Sequence, residues 1–252
     1  IKNCTDEWNK IQAASKTSYP ETPKGDQTSL DDQVRTQYGV YVGMEYTVGD
    51  FIYRVTAIDS ITSGRTKLIG VVAAKKSKLT KVTVPNTANF KGYGLNVTEV
   101  GDNAFKAMKK LKKVTFGANV KAIGKAAFSN CKKLNKINFK NVTTIGNNAF
   151  AGCKALKKLT IGSKVTTIGK NAFKKCTKLK TVVMGKSVKT IKAKAFTKDN
   201  KIKKITFKGK KLKTVKKNAL GSKVKKNIKT KKTKLKGNKK AIKVFKKKLK
   251  IK

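Results

Sequence analysis

Side chains able to do chemistry are few in kind along this chain. Histidine is absent, which removes the commonest general base, the commonest metal ligand, and the Ser-His-Asp and Cys-His arrangements built on it. Asp and Glu together number 12. In the repeated part of the chain Glu99, Asp102 and Asp199 stand singly, leaving no pair for acid–base hydrolysis. Cys131, Cys153 and Cys176 invite a reading as metal ligands or a redox set. They occupy one slot of successive repeats, however, and Met108 and Asp199 fill the same slot elsewhere, as expected of a small, half-buried apolar position. Cys4 stands apart, with no lipid-attachment box around it. The expectation is a protein without catalytic residues, cofactor or metal.

Lysine is what remains. Lys and Arg total 63, for a formal net charge of +51, and arginine occurs only at Arg35, Arg54 and Arg65. An ammonium group is a compact point charge that attracts anions without the planar selectivity of a guanidinium. The charge is unevenly spread. Residues 1–39 hold five bases and six acids, whereas residues 201–252 hold 25 lysines and no acid. A shift this sharp near Gly39 reads as a domain boundary.

The lysines are positioned by a repeat. Copies of the pattern V-x-x-(V/I)-x-x-x-A-F begin at Val97, Val120, Val142, Val165 and Val188, at spacings of 23, 22, 23 and 23 residues, and a weaker sixth begins at Leu212. A period of this size marks a solenoid of stacked coils. Equivalent apolar residues, such as Phe105, Phe128, Phe150, Phe173 and Phe196, are expected to lie on one another and form the core, because no single coil can close one. Each copy ends in a two-residue alternation, as in Val114-Thr115-Phe116, which predicts a short strand. Stacking aligns these strands into a parallel sheet with neighbours roughly 4.8 Å apart. The A-F-x-x-C stretch has the i, i+3 spacing of one helical or 3₁₀ turn. Gly101, Gly124, Gly146 and Gly169 imply a bend with positive φ or a close backbone approach, and Lys192 takes that place in the fifth copy.

On the strand, residues flanking the inward Val or Ile point outward. They form two columns: Lys113, Lys136, Lys158, Thr181 and Lys204, then Thr115, Asn138, Thr160, Val183 and Thr206. A third, on the preceding turn, runs Lys110, Lys133, Ala155, Lys178 and Lys201. The two strand columns are the candidate binding surface. Thr181 and Val183 interrupt the lysine run and mark the fourth coil as a place for a local contact.

The frame I-G-x-x-A-F-x-x-C-x-x-L, at Ile123–Leu134 and again at Ile145–Leu156, resembles the BspA-type (treponeme-type) bacterial leucine-rich repeat. The stretches Tyr46–Thr56 and Val82–Val100 also resemble the lead-in of lysine-rich secreted repeat proteins of gut Firmicutes. The resemblance implies a leucine-rich-repeat solenoid, β-rich with short helical or 3₁₀ turns, in a secreted or cell-surface protein used for adhesion or partner binding. It carries over no catalytic motif.

The organisation read from the sequence is a linker or tail of an upstream region at 1–39, a β-rich N-terminal cap at 40–96, repeats at 97–220, and a basic C-terminal cap at 221–252. Hairpin turns are expected at Val48-Gly49-Asp50-Phe51 and at Gly92-Tyr93-Gly94. Ile242, Phe245 and Leu249 fall on one helical face. No apolar run approaches the roughly 20 residues that span a bilayer, so no transmembrane segment is expected.

Two functions fit. One is a non-enzymatic extracellular or cell-surface module for adhesion or partner binding. Its concave strand face would meet an anionic cell-wall polymer, an acidic glycan or a protein ligand. The other is an anchoring domain that holds a larger surface protein to an anionic wall. Exposed aromatics on the strand face would favour a specific partner, and lysines on every face would favour anchoring. Nucleic acid would be bound only non-specifically, since charge attracts phosphates while arginine and free aromatics for base reading are nearly missing.

Overall fold

Every copy of the repeat makes one coil, and successive coils stack through paired strands. The computed structural model describes residues 41–58, 67–74, 78–90, 93–216 and 218–251. The expectations for residues 1–39, including Cys4 and Trp8, lie outside the described residues. In chain order the elements are β1 (Glu45–Val48), β2 (Phe51–Ile58), β3 (Lys67–Ala74), β4 (Lys81–Val84), β5 (Thr87–Phe90), β6 (Tyr93–Val100), β7 (Lys113–Phe116), β8 (Ala122–Ile123), β9 (Lys136–Asn138) and β10 (Thr144–Ile145). They continue with β11 (Lys158–Thr160), β12 (Thr167–Ile168), β13 (Thr181–Met184), β14 (Thr190–Ile191), β15 (Lys204–Phe207), β16 (Thr214–Val215), α1 (Ser222–Lys229), β17 (Lys234–Gly237) and α2 (Lys239–Leu249).

Two ladders of parallel strands run along the stack rather than the one that the alternation predicts. The expected strands form β4-β7-β9 and β11-β13-β15-β17. The second ladder, β6-β8-β10-β12-β14-β16, is made of Thr-Ile or equivalent pairs only two residues long in each repeat coil. A pair that short gives no readable alternation. Its pairing comes from the stacking, which puts Thr144 beside Thr167 and Ile145 beside Ile168.

The core lies between the ladders and the A-F stretch. Phe105, Phe128, Phe150, Phe173 and Phe196 are buried and stack ring on ring, with centroids 5.0, 5.2, 5.4 and 5.4 Å apart. Their planes lie within 8° of parallel. Phe51 of β2 closes the N-terminal end edge-on to Phe105 at 5.8 Å. At the other end Leu220 bridges to Phe196, and Phe245 of α2 packs on Phe207 at 5.0 Å. These end pieces bury an apolar ladder and sheet edge that an open solenoid leaves to water. Ala241, Phe245 and Leu249 are the buried face of α2, with Ile242 partly buried at its margin.

The A-F-x-x-C stretch differs from a plain helical turn. Its N–H groups do reach back three residues, Ser129 to the Ala126 carbonyl at 2.9 Å and Cys131 to that of Phe128 at 3.3 Å. Alternate N–H groups instead bond along the axis, from Ala126, Phe128 and Asn130 to the carbonyls of Asn147, Ala149 and Ala151 at 2.7–2.8 Å. A helix would bond all these groups within its own segment. Two residues per coil at positive φ break the helical sense and aim these groups at the next coil, as at Ala126 (54°) and Asn130 (61°).

Gly124, Gly146 and Gly169 answer to close approach, not to positive φ. A Cβ on Gly146 would sit 2.5 Å from the Ile123 carbonyl oxygen of the coil before. The first expected hairpin forms, with Val48 opposite Phe51 and Gly49 at φ 59°. The second turns between Phe90 and Tyr93, which pair directly, so Tyr93 and Gly94 lie in β6 and not in the turn. Among the described residues no helix is long and apolar enough to cross a membrane.

Candidate functional site

The outward side chains of the longer strands make one surface because the ladder keeps the coils in register. Lys81 pairs with Lys113 and Lys113 with Lys136; farther along, Lys158 pairs with Thr181, Thr181 with Lys204 and Lys204 with Lys234. The neighbouring column joins Thr83, Thr115 and Asn138, then Thr160, Val183, Thr206 and Lys236. Lys113, Lys136, Asn138, Lys158, Thr160 and Lys204 are exposed, and Thr115, Thr181, Val183 and Thr206 are half-exposed. Between them Val114, Leu159, Val182 and Ile205 point into the core. All ten residues predicted from the sequence thus lie on the strands' outer face.

Lys81, Thr83, Lys234 and Lys236 extend that face at both ends, and the sequence reading missed them. The signal for the first pair was present: Leu79-x-x-Val82-Thr-Val84 matches Leu111-x-x-Val114-Thr-Phe116. The β5–β6 hairpin inserted after β4 hides that match from a search for the whole repeat. At the other end α1 follows the Ala219-Leu220 corner, and the buried Thr233 hydroxyl donates to the Ile202 carbonyl at 2.8 Å, seating β17 on β15.

Neighbouring ammonium groups on paired strands repel by about 1 kcal/mol in water before salt screens them. None of the columns' lysines has a salt-bridge partner among the described residues, where Arg54–Glu45 forms on the β1–β2 hairpin. The face is therefore an uncompensated row of positive charge with hydroxyl and amide groups beside it. Exposed aromatics are absent from it among the described residues, where Val42 is the exposed large apolar residue.

The ladder is interrupted once between β4 and β17. β9 pairs with β7 and β11 with β13, but β9 and β11 do not pair. The coil entering β9 is the one with 22 residues. Its turn after the strand runs Phe139-Lys140-Asn141-Val142, one residue shorter than Phe116-Gly117-Ala118-Asn119-Val120, and Lys140 takes φ 37°. After β7 and β13 a glycine follows the strand, Gly117 and Gly185, where a Cβ would fall within 2.5 Å of the preceding coil's backbone. At this coil, one residue short in the turn, the strand does not pair with the next one. A groove of about 620 Å³ opens here, lined by Asn135, Lys136, Ile137, Ala155, Lys157, Lys158, Thr160 and Lys178. Ile137, whose counterparts are buried, is half-exposed in it. The groove does not reach Thr181 or Val183, which the sequence pointed to as a local contact.

The cysteine slot does structural work. Cys131, Cys153 and Cys176 are free and buried, and their thiols donate to the carbonyls of Phe105, Phe128 and Phe150 at 3.1, 3.3 and 3.4 Å. Burial pushes the Cys131 thiol up to about 11 and raises the other two, which keeps them protonated and unreactive. Asp199 is fully buried in the same slot, without a hydrogen-bond partner for either carboxyl oxygen.

A stack of 22- to 24-residue coils with an Ala-Phe corner, a buried Cys slot and a parallel strand face is diagnostic when the family pattern falls on it. Residues 96–232 match the BspA type Leucine rich repeat region in six copies. The chain belongs to this family of bacterial leucine-rich repeat proteins. No curated protein matches it. Among solved structures it resembles the T. pallidum leucine-rich repeat protein TpLRR, at 25% identity and TM-score 0.54 over 71% of this chain and 82% of that one. It also resembles a leucine rich cell surface protein from Faecalibacterium prausnitzii, at 24% identity and TM-score 0.50 over 72% and 51% of the two chains. The fold of the pneumococcal vaccine antigen PcpA matches at TM-score 0.61 and 20% identity, over 79% and 51%. The chain spans about half the length of the latter two proteins. BspA-type repeats form scaffolds with exposed faces, and the geometry here is of that kind.

Proposed function

We propose that this chain is a non-enzymatic cell-surface or extracellular binding module whose lysine-rich strand face holds an anionic polymer, of the kind found in a bacterial wall or as an acidic glycan. One observation carries the reading: lysines from successive coils stand side by side, exposed and without ion pairs among the described residues, on a face stiffened by a hydrogen-bonded ladder. A row of fixed point charges gains from any polyanion that replaces many small repulsions with attractions. Contact with such a ligand releases its counterions, so affinity falls steeply with salt.

A second reading is anchoring, in which the same contact holds a larger surface protein to an anionic wall. Lysines also stand exposed on the turns opposite the strands, as at Lys125, Lys170 and Lys175, and the strand face lacks exposed aromatics among the described residues. Both features suit a polymer better than a shaped protein partner. The test is retention on purified Gram-positive wall at rising salt. Strong retention at low salt and release by about 0.5 M is expected. Binding that ignores salt, or no binding, overturns the reading.

A further inference from the structure

We propose that the step between β9 and β11 is a discrete binding site for a linear phosphodiester polymer with a polyol backbone. The proposal deepens the polyanion reading above and rests on it. Lys136, Lys157, Lys158 and Lys178 converge on this groove from two strands and two turns, and no carboxylate lines it. Its floor is Ile137 and Ala155, both half-buried. Along the step, the facing edges of β9 and β11 share no ladder, which leaves backbone donors and acceptors for a ligand's hydroxyls.

The opening is local. The same two coils stay paired on their other side, Ile123 beside Ile145. Their Phe128 and Phe150 rings stack at 5.2 Å, and the Ala155 N–H bonds the Lys132 carbonyl at 3.1 Å just ahead of the step. A thin chain suits such a slot better than a rigid ring polymer. Phosphodiester charge meets the ammonium groups, methylenes lie on Ile137 and Ala155, and hydroxyls meet the strand edges. Each requirement is met by a different part of one repeating unit.

The cause of the groove supplies its test. Inserting one glycine between Phe139 and Lys140 restores the longer turn of the sister coils, closes the step, and leaves the net charge unchanged. Binding of short poly(glycerol phosphate) is measured by titration calorimetry at fixed salt, with heparin as the ring-polymer comparison. The insertion variant is expected to lose affinity for poly(glycerol phosphate) by roughly tenfold and to keep its heparin affinity. The K136Q/K158Q/K178Q variant should lose as much, whereas K239Q/K240Q/K243Q, which removes the same charge from exposed positions of α2 off the strand face, should stay within about threefold. Ala155→Glu leaves the strands untouched and puts a carboxylate in the slot. It should match the insertion even if that variant folds poorly. Equal losses in the two lysine triples, or full binding by Ala155→Glu, overturn the discrete site and leave the wider face standing. Salt-insensitive or absent binding by the parent overturns both.

Discussion

Asp199 stands where its neighbours along the axis carry thiols or a thioether. The thiols satisfy the carbonyl beneath them, but the carboxyl finds no such partner, and burial pushes its pKa up to about 8, the Cys176 backbone offsetting a part of this. A carboxyl whose folded pKa lies above its unfolded value contributes most below the unfolded value, near 4, and that contribution is lost as pH rises toward the folded one. Stability should therefore fall between about pH 4 and pH 8, by up to ~1.4 kcal/mol per pH unit. Urea unfolding of the parent and of Asp199→Asn at pH 5 and pH 8 checks this. The parent should lose midpoint at pH 8 and the variant should not; parallel losses in the two would refute it. The thiols enter only the upper edge of this window, because their unfolded pKa lies near 8.5, and they do so equally in the parent and the variant. The Cys slot itself was legible from the sequence, since Met108, the three cysteines and Asp199 align. The missing partner of Asp199 was not, because hydrogen bonding along the axis depends on the stacking distance.

At the scale of the element, the phenylalanine ladder gives each coil its hold on the next. Phe150 contacts rings on both sides, at 5.2 and 5.4 Å, and meets Phe139 edge-on at 5.8 Å. Phe150→Ala removes a fully buried ring from the middle of this row and leaves a hole that flanking rings, held by their own coils, cannot fill. A cost of about 3–5 kcal/mol follows, read as a shift in the denaturant midpoint. A loss below about 1 kcal/mol would show that the coils do not depend on the stack. The strands were readable from their alternation and the C-terminal helix from Ile242, Phe245 and Leu249. The Thr-Ile ladder and the axis-directed turns were not, because two-residue strands have no period. The positive φ at Ala126 and Lys194 is likewise imposed by the neighbouring coil against the residues' own preference.

Over the whole molecule, charge works against the fold. With a net +51 over 252 residues, the compact solenoid holds its ammonium groups closer together than the unfolded chain does, and self-repulsion lowers stability. Salt shortens the reach of that repulsion from about 30 Å at 0.01 M to about 8 Å at physiological strength. The melting temperature of the free protein should rise between these conditions, and a polyanion should raise it further at low salt. A melting temperature that falls or stays level on adding sodium chloride would mean that the lysines are too well solvated to matter.

What the amino-acid order alone determined was the repeat, the buried columns and the ten outward positions from Lys113 to Thr206. A side chain's burial in a stacked coil follows from its place in the period. What only the tertiary structure decided was where the strand face continues and where it breaks. Lys81 and Lys234 join it because unlike segments dock at each end. The groove beside Ile137 opens because one missing residue in the turn after Phe139 is felt across a whole coil, at a strand edge that lies far along the chain and adjacent in space.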